Sequence, residues 1–371
     1  MKFICDREVL SQACLNVQRA VSVKTSIPAV ECISLKAQNN SLTLTGYDLE
    51  FGIYTTIGAR VEEDGGILIN ARILTDILKN LPGDTVKIES DERHLANIES
   101  GDSKYSITGL APEEYPELPS VTGGLPVTMV QGVLKEMVRQ TIYAAAVTDT
   151  SKVIHTGLKF EISNKLLTIV AVDGFRLAVR REPIDYEGED LSFVVPAKTM
   201  SEAVKLFFDE SQNVSIGLGK RHIVFEIGDY FVVSRLLEGD FLNYKSTLPT
   251  SKSTSVLVNT RSLIGSIERT SLIIADRLTS PIRCYFNEDI IHISSSTAIG
   301  TANDKIGAKI EGSPVEIGFN NKFLLDALKV ADTDEVIVEL NGPVSPIIIK
   351  PTQGDSFTFL ILPVRLKGET N

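Results

Sequence analysis

One stretch of sequence occurs three times in this chain. The segment Ile69 to Leu81 (INARILTDILKNL) returns as Val195 to Phe207 (VPAKTMSEAVKLF) and as Phe319 to Ala331 (FNNKFLLDALKVA). Each copy has a cation in its fourth position, an acid four residues later and a lysine three residues after that. The copies begin 126 and 124 residues apart, which is too long for a solenoid repeat and suits a small domain. The chain is therefore predicted to be one module repeated three times.

Other elements repeat in the same order around that segment. An opening helix is predicted from apolar residues at helical spacing, with one leucine in register in every copy, namely Leu10, Leu134 and Leu263. A strand with alternating apolar and polar residues follows, as LTLTGYD at 42–48, LTIVAVD at 167–173 and IHISSST at 291–297. A closing strand is predicted around a further shared column, which holds Leu110, Leu236 and Leu362. Every copy is thus expected to run helix, strands, helix, strands, in an α+β fold.

Length and composition agree with three such domains. The chain has 371 residues, of which 43% are hydrophobic, and this predicts two or three domains with ample cores. Gly, Ser, Thr and Pro cluster near Ser120–Leu125 and Pro249–Thr254, so the domains are predicted at 1–124, 125–251 and 252–371. No apolar run reaches the ~18 residues of a membrane span, and the amino terminus lacks a signal-peptide pattern. A cytoplasmic protein is expected.

The sequence offers no recognisable catalytic or metal-binding motif. GLGKRH at 217–222 lacks the glycine spacing and the Ser or Thr of a phosphate-binding loop, and GxGxxG, GxSxG and HExxH do not occur. The four cysteines have neither disulfide density nor CxxC spacing, and the four histidines lie in separate predicted elements. We therefore expect no catalytic residue, no metal and no cofactor.

The net charge of −11 argues at first against nucleic acid, because phosphate binding depends on Lys and Arg. The charge is unevenly distributed, however. Six helices, predicted at 6–20, 71–81, 131–145, 197–207, 260–274 and 321–331, carry twelve cations and seven acids and so hold five net positive charges. These mixed charges have two readings. They solvate the helix faces through i,i+4 pairs such as Arg72 with Asp76, or they form a basic surface for nucleic acid.

Several separate blocks resemble one known family. MKFICDREVL, SLTLTGYDLE, TIVAVDGFRLAV, EIGFNNKFLLDAL and the terminal ILPVRL are similar in wording and order to the bacterial DNA polymerase III beta subunit, the sliding clamp, over essentially the whole chain. The resemblance implies three repeated clamp domains per chain. It also implies a head-to-tail homodimeric ring with helices inside and sheets outside, which encircles double-stranded DNA. The alternative reading is a repeat-built interaction scaffold without DNA encirclement.

Elementary geometry favours two chains over one for such a ring. If two helices per domain lined the hole, six helices each ~10 Å across would enclose a hole of only ~9 Å. Twelve helices from two chains would enclose ~28 Å by the same arithmetic. The major groove alone is ~12 Å wide, so only the two-chain ring admits a duplex.

The family resemblance implies three sets of functional residues. The DNA-contacting cations are Lys24, Arg72, Lys152, Lys198 and, by internal repetition, Lys322. Family members often carry arginine at the positions of Lys24 and Lys152. Such flexible cations hold phosphates without reading bases. The dimer contact is predicted between the last strand of domain one, with Lys104, Tyr105 and Ile107, and the end of the first helix of domain three, with Ile273 and Ile274.

The third set is a pocket for short clamp-binding motifs of the replicative polymerase, the clamp loader, other polymerases and repair proteins. Its residues are His155, Gly174, Phe175, Arg176, Leu177, Leu242, Thr247, Asn320, Phe323, Val344, Pro346, Leu360, Leu362, Pro363, Val364, Arg365 and Leu366. A mostly apolar pocket suits a hydrophobic peptide anchor, although Leu177, Leu360 and Leu362 equally resemble sheet-core residues. His155, Leu242 and Ser246 stand where the family often has leucine, proline and arginine, so a different motif preference is expected.

Overall fold

The computed structural model describes residues 1–23, 25–121, 125–147, 152–274 and 281–366. The chain divides into two compact units, each of which is described by itself. The first comprises residues 1–133 and 198–236, and the second comprises residues 134–197 and 237–371. Lys24, one of the predicted DNA contacts, lies outside the described residues.

Six α-helices occur in the part of the chain that the structure describes. They are α1 (Arg7–Val17), α2 (Ala71–Asn80), α3 (Gln131–Arg139), α4 (Ala197–Ala203), α5 (Thr260–Ser271) and α6 (Asn321–Val330). All six were predicted, two in each copy. Side chains one residue ahead of the first turn explain several of the starting points, because Asp6, Asn70, Asn259 and Asn320 accept hydrogen bonds from backbone N–H groups of that turn.

The strands fall into three sets that follow the repeat. The first set is β1 (Lys2–Asp6), β2 (Cys32–Gln38), β3 (Ser41–Tyr47), β4 (Phe51–Gly58), β5 (Arg60–Glu63), β6 (Gly65–Asn70), β7 (Thr85–Ser90), β8 (Leu95–Ser100) and β9 (Ser103–Thr108). The second is β10 (Val127–Val130), β11 (Gly157–Ser163), β12 (Leu166–Val172), β13 (Arg176–Pro183), β14 (Leu191–Pro196), β15 (Asn213–Leu218), β16 (His222–Ile227) and β17 (Tyr230–Arg235). The third is β18 (Thr254–Asn259), β19 (Ile282–Asn287), β20 (Ile290–Thr297), β21 (Gly300–Gly307), β22 (Lys309–Gly312), β23 (Val315–Phe319), β24 (Glu335–Leu340), β25 (Ile347–Pro351) and β26 (Phe357–Ile361).

The first unit contains two antiparallel sheets. Their strand orders are β5-β1-β7-β8-β9 and β10-β15-β16-β17-β4-β3-β2-β6. Helix α1 packs on β3, β4 and α2. Leu10 on α1 and Leu74 and Leu78 on α2 are fully buried in that contact region, which gives the first unit an apolar core between its helices and sheets.

The second unit also contains two antiparallel sheets. Their orders are β14-β11-β12-β13-β26-β25-β24-β18-β22 and β21-β20-β19-β23. Helix α5 packs on β20, β21 and α6. Leu263 and Ile267 of α5 and Leu324 and Leu328 of α6 are buried, so the predicted leucine column of the opening helices is a core column.

The same hairpin recurs in each copy. Its two turn residues have left-handed backbones in all three copies: Asn39 and Asn40, Asn164 and Lys165, and Glu288 and Asp289, with φ between 51° and 58°. These positions are 125 and 124 residues apart, as in the flanking strands. Two consecutive left-handed residues match the twist of a two-residue hairpin turn, and the alternating strands predicted from sequence are the second strands of these hairpins.

Two joints connect neighbouring copies within the chain. At the first joint, in the first unit, β17 of copy two pairs with β4 of copy one. At the second joint, in the second unit, β26 of copy three pairs with β13 of copy two. The final strand of one copy therefore continues a sheet of the copy before it. The register is the same at both joints, since Ser234 faces Phe51 and the corresponding Ile361 faces Arg176.

The predicted column of Leu110, Leu236 and Leu362 is wrong. β9, β17 and β26 end at Thr108, Arg235 and Ile361, so these leucines follow the strands. The equivalent residues are Leu110, Leu237 and Val364, spaced by 127 residues, whose N–H groups donate to Leu68, Val194 and Gly318 at 2.8–2.9 Å. Backbone hydrogen bonds, rather than matching letters, fix the register.

Several predicted helices also end earlier than expected. Helix α5 ends at Ser271, so Ile273 and Ile274 lie in the following turn, where the Ile274 N–H donates to the Ser271 carbonyl at 2.9 Å. Helices α3 and α4 give way to the 3-10 helices Ile142–Ala144 and Val204–Leu206, a common way to close a helix. Among the described residues, no helix is both long and apolar enough to cross a membrane.

Candidate peptide-binding, DNA-binding and subunit-contact sites

The turn between β12 and β13 presents an exposed phenylalanine. Asp173 Oδ1 accepts hydrogen bonds from the N–H groups of Phe175 at 2.9 Å and Arg176 at 3.0 Å, and Gly174 supplies the left-handed backbone with φ of 91°. The Phe175 ring remains 61% exposed and stacks on the ring of Phe323 at a centroid distance of 6.0 Å. These two predicted pocket residues are therefore adjacent and available to a partner.

Arg176 lies beneath that aromatic pair and is mostly buried. Its Nε donates to Asp173 Oδ2 at 2.9 Å and its Nη1 to Asp326 Oδ2 at 2.5 Å. The guanidinium carbon lies 4.6 Å from the ring centroid of Phe323 and 5.3 Å from that of Tyr143. Burial raises the pKa of Tyr143, so the tyrosine stays neutral. Arg176 ties the start of β13 to α6 and so holds the Phe175–Phe323 pair in place.

Next to the turn is an apolar floor on the nine-stranded sheet. Its buried members are Val170, Val172, Leu177, Val179, Tyr244, Ile348 and Leu360, and the partly buried Phe241, Leu242 and Leu248 pack against them. Leu177 and Leu360 are only 2% and 6% exposed, which agrees with the sheet-core reading. Leu362 is 37% exposed and can contact a ligand.

The chain segment 241–248, named here the cover segment, is anchored over that floor. Tyr244 Oη donates to Glu161 Oε2 at 2.6 Å, and Thr247 Oγ1 donates to the Tyr244 carbonyl at 2.8 Å. Burial works to raise the pKa of Glu161, but hydrogen bonds from Lys159 and Tyr244 outweigh it and the carboxyl pKa is lowered. The predicted residue Thr247 thus closes the segment, while Tyr244, Phe241 and Glu161 were not predicted. The spacing of Phe241, Tyr244 and Leu248 was the available signal.

The carboxyl-terminal run lies beside the Phe175 turn, as predicted. The Leu362 N–H donates to the Phe175 carbonyl at 2.9 Å, and the Val364 N–H donates to Gly318 at 2.8 Å. Leu366 packs so close to Gly318 that a Cβ there would be 2.6 Å from its Cδ2. Pro363 follows the end of β26 and Arg365 is exposed.

The remaining predicted pocket residues occupy more varied positions. Val344 is 69% exposed, whereas Pro346 lines a separate depression of about 330 Å³ that it shares with Ile348 of the apolar floor. Asn320 caps α6 by accepting from the Lys322 N–H at 2.9 Å. His155 lies in the 3-10 helix Val153–Thr156 and packs edge-on against Phe241 at 5.4 Å.

His155 is a titratable side chain at the rim of this region, and its surroundings shift its pKa. Burial, followed by the charge of Lys152, lowers its pKa below the usual 6.5. Its Nε2 is buried and has no hydrogen-bond partner among the described residues. No group of three potential ligands that could hold a metal occurs among the residues that the structure describes.

The four predicted DNA contacts that the structure describes are exposed cations at or near helix starts. Arg72 is 87% exposed and pairs with Asp76 at 3.8 Å, which confirms the i,i+4 pair. Lys198, 66% exposed, instead reaches Asp48 Oδ2 at 2.7 Å. Lys152 and Lys322 are also exposed. An anion that binds Lys198 would therefore compete with a carboxylate of the same unit.

Three family models match successive parts of the chain. They describe the N-terminal, central and C-terminal domains of the DNA polymerase III beta subunit and match residues 1–119, 128–243 and 245–365. The chain belongs to the DNA polymerase III beta subunit family. The resemblance drawn from the sequence is confirmed, and with it the α+β fold of repeated clamp domains and the sliding-clamp function.

Individual beta subunits are similar over their full length. The beta sliding clamps of Staphylococcus epidermidis and Staphylococcus aureus are each 32% identical over 375 residues, spanning 98% of this chain and 99% of the relative. The solved putative beta subunit of Eubacterium rectale is 34% identical with a TM-score of 0.95, covering 99% of this chain and all of that chain. The sliding clamp of Bacillus subtilis is 31% identical with a TM-score of 0.96, covering 99% of each chain.

In this beta-subunit fold, the residues predicted for the dimer contact lie at a sheet edge and in a turn. β9 is the edge strand of its five-stranded sheet. There Tyr105 is 40% exposed, and Lys104 Nζ pairs with Glu99 Oε1 at 3.0 Å. The turn after α5 holds Ile273 and Ile274. Leu272 beside them is 83% exposed and was not predicted as a contact, because the equivalent residue of copy one is the cation Arg19.

Proposed function

We propose that two chains form a closed head-to-tail ring around double-stranded DNA without sequence specificity. The observation that carries this proposal is that two strands, β9 and β21, lie at the edges of their sheets. β9 is the copy-one equivalent of β17 and β26, and β21 is the copy-three equivalent of β4 and β13. Both β9 and β21 are sheet edges, although their equivalents are paired at the two joints. A third joint between chains would satisfy both edges.

The two joints within the chain also predict the register of the third. Ser234 faces Phe51 at the first joint, and Ile361 faces Arg176 at the second. The equivalent pair is Ile107 of one chain and Gly300 of the other, which also brings Tyr105 opposite Ala302. Leu272 and Ile299 are 83% and 76% exposed and lie in segments next to this third joint. Pairing of the two chains would bury part of their apolar surface away from water.

Retention on DNA is proposed to be topological. Lys24, Arg72, Lys152, Lys198 and Lys322 would make weak, exchangeable phosphate contacts, as sliding requires. The chain carries a net charge of −11, so strong nonspecific adhesion to DNA is not expected.

Partners are proposed to bind at the second joint. A short motif with an apolar anchor suits the exposed Phe175 and the partly buried Phe323, together with Leu362, Val344 and the apolar floor under the cover segment. The replicative polymerase, the clamp loader, other polymerases and repair proteins would use this pocket in turn. The chain itself would have no catalytic role, would need no cofactor and would act in the cytoplasm. Its three domains are proposed to meet near residues 124 and 251.

A paired measurement of mass and DNA retention tests the ring. Light scattering should give the mass of two chains, and replacing both Ile273 and Ile274 by Asp should halve it. The matched control replaces Val147 and Val153, which are 88% and 67% exposed, by Asp and should leave the mass unchanged. Loaded protein should stay on circular duplexes and leave linear ones. Equal retention on both forms would contradict encirclement.

A further inference from the structure

The three copies present the same sheet face with different chemistry. Four positions on the paired strands define it: Val170, Val172, Leu177 and Val179 in copy two; Thr45, Tyr47, Gly52 and Tyr54 in copy one; Ser294, Ser296, Thr301 and Asn303 in copy three. In copy two this face is the apolar floor of the peptide pocket. The other two copies have departed from it in opposite ways.

Copy one fills its face with its own chain. Gly52 replaces the leucine, and the Cδ2 of Leu118 lies 3.1 Å from where a Cβ of Gly52 would be. Tyr115 Oη donates to the Thr45 carbonyl at 3.1 Å and so fixes the same segment. Leu118 therefore occupies the part of this face that corresponds to Leu177 in copy two.

Copy three leaves its face open and makes it polar. Two cavities of about 440 and 710 Å³ meet on it and share Arg283, Ser294 and Asn303. The larger one is also lined by Ser296, Thr301 and Arg365, and the residues described in its lining include two arginines and no carboxylate. An apolar anchor would not be favoured there, because it would leave serine and asparagine groups without hydrogen bonds.

The described lining of the smaller cavity is balanced in charge, with two cations and two carboxylates. Its lining includes Lys305 and the carboxylates of Asp304 and Glu316. Asp304 Oδ2 accepts from Arg269 Nε at 2.9 Å, and Glu316 Oε1 accepts from Arg283 Nη1 at 2.9 Å. Both carboxylates are therefore already bonded, Glu316 to Arg283 itself, while Lys305 and Arg365 also line the groove. The described lining of the two cavities together holds three cations and two carboxylates, one net positive charge in a chain of net charge −11.

We infer that this copy-three groove binds an extended acidic segment of a partner protein. Arginine forks bind carboxylates through paired hydrogen bonds, and the row of hydroxyl groups supplies further donors. The two adjoining cavities are large enough for several residues. The groove adjoins the proposed peptide pocket, because Val364, Arg365 and Leu366 of the predicted pocket set also line it. One partner could therefore place an apolar anchor in the pocket and acidic residues in this groove.

Fluorescence anisotropy with a labelled six-residue peptide of alternating Glu and Gly tests the groove. The full chain should bind it and should bind the matched Gln–Gly peptide at least tenfold more weakly. Arg283→Gln should weaken binding of the Glu peptide about tenfold, whereas Lys309→Gln, which removes a 69% exposed cation of the same copy, should not. Glu316→Gln should strengthen binding at least twofold by releasing Arg283.

The inference is overturned if the Glu peptide does not bind, if Lys309→Gln costs as much as Arg283→Gln, or if inorganic phosphate displaces the peptide at equal concentration. A clamp-binding peptide with an apolar anchor should bind Arg283→Gln as it binds the unaltered chain. That measurement separates failure of the groove from failure of the proposed pocket.

Discussion

Some exposed side chains in this chain already have an ion-pair partner. Lys198 is 66% exposed, yet its ammonium lies 2.7 Å from Asp48. The other oxygen of Asp48 accepts from the N–H groups of Glu50 and Phe51, so the carboxylate both shapes a turn and neutralises a proposed DNA contact. Sequence alone placed Lys198 on a helix start but could not show this pairing, because 150 residues separate the two side chains.

Asp48→Asn should therefore strengthen binding to duplex DNA. The amide oxygen can keep the two turn hydrogen bonds while the charge that holds Lys198 is removed. We expect a few-fold gain in affinity at low salt, measured by anisotropy with labelled duplex, and a loss of that gain at high salt. With Lys198→Gln already present, Asp48→Asn should bring no gain. A gain of the same size in both backgrounds would show that Asp48 acts elsewhere.

His155 should make stability depend on pH in a defined direction. Its pKa is lowered in the folded chain, so the unfolded chain takes up the proton first as pH falls through about 6.5. The stabilisation is complete above that value and is lost as pH falls through the folded pKa. Urea midpoints at about pH 7.5 and about pH 5 should differ more for the unaltered chain than for His155→Leu. Equal differences would place the titration on other groups.

At the scale of elements, letter patterns predicted the helices and hairpins well and their ends poorly. Apolar spacing in α1, α3 and α5 reports a buried stripe, so the leucine column was predictable. The closing column failed by one and two residues, since leucines near 236 and 362 are interchangeable as letters but not as hydrogen-bond partners. The turn after α5 depends on a 3-10-like ending that has no strong sequence signal.

We expect the proposed peptide pocket to depend on the cover segment. Tyr244→Phe should weaken a clamp-binding peptide several-fold, because the segment loses its hydrogen bond to Glu161. The control is Tyr230→Phe, which removes a similar bond from Asn16 at 3.0 Å in the first unit and should leave the affinity unchanged. Calorimetric titration of both variants tests this prediction. Equal affinities would show that the cover segment does not contribute to peptide binding.

For the whole molecule, the repeat is more informative than any single motif. Three family segments, two internal joints and two sheet edges together predict a third joint between chains. The pocket residues could be predicted only through the family resemblance, since Phe175, Phe323 and Leu362 come from distant parts of the chain. The acidic-peptide groove had no sequence signal, because Arg283 and Arg365 are 82 residues apart.

The register of the third joint can be tested by cross-linking. Tyr105→Cys combined with Ala302→Cys should form a disulfide between chains, because directly opposed residues of antiparallel strands have Cα atoms about 4.5–5.5 Å apart. Tyr105→Cys with Ile306→Cys, displaced by four residues, should not. The native thiols should stay silent, since burial raises the pKa of Cys5 and Cys284 to about 12 and of Cys32 to about 11. A two-chain band on a non-reducing gel is the expected result.

The position of Leu118 on the copy-one face has a consequence for the number of binding sites. With that face occupied, each chain would offer one site for an apolar motif instead of two, so the proposed two-chain ring would offer two such sites and not four. Two partner enzymes could then bind one ring at the same time, one active on the DNA and one inactive, and no site of this kind would be left for a third. The active enzyme could then be exchanged only for the other enzyme bound to the same ring.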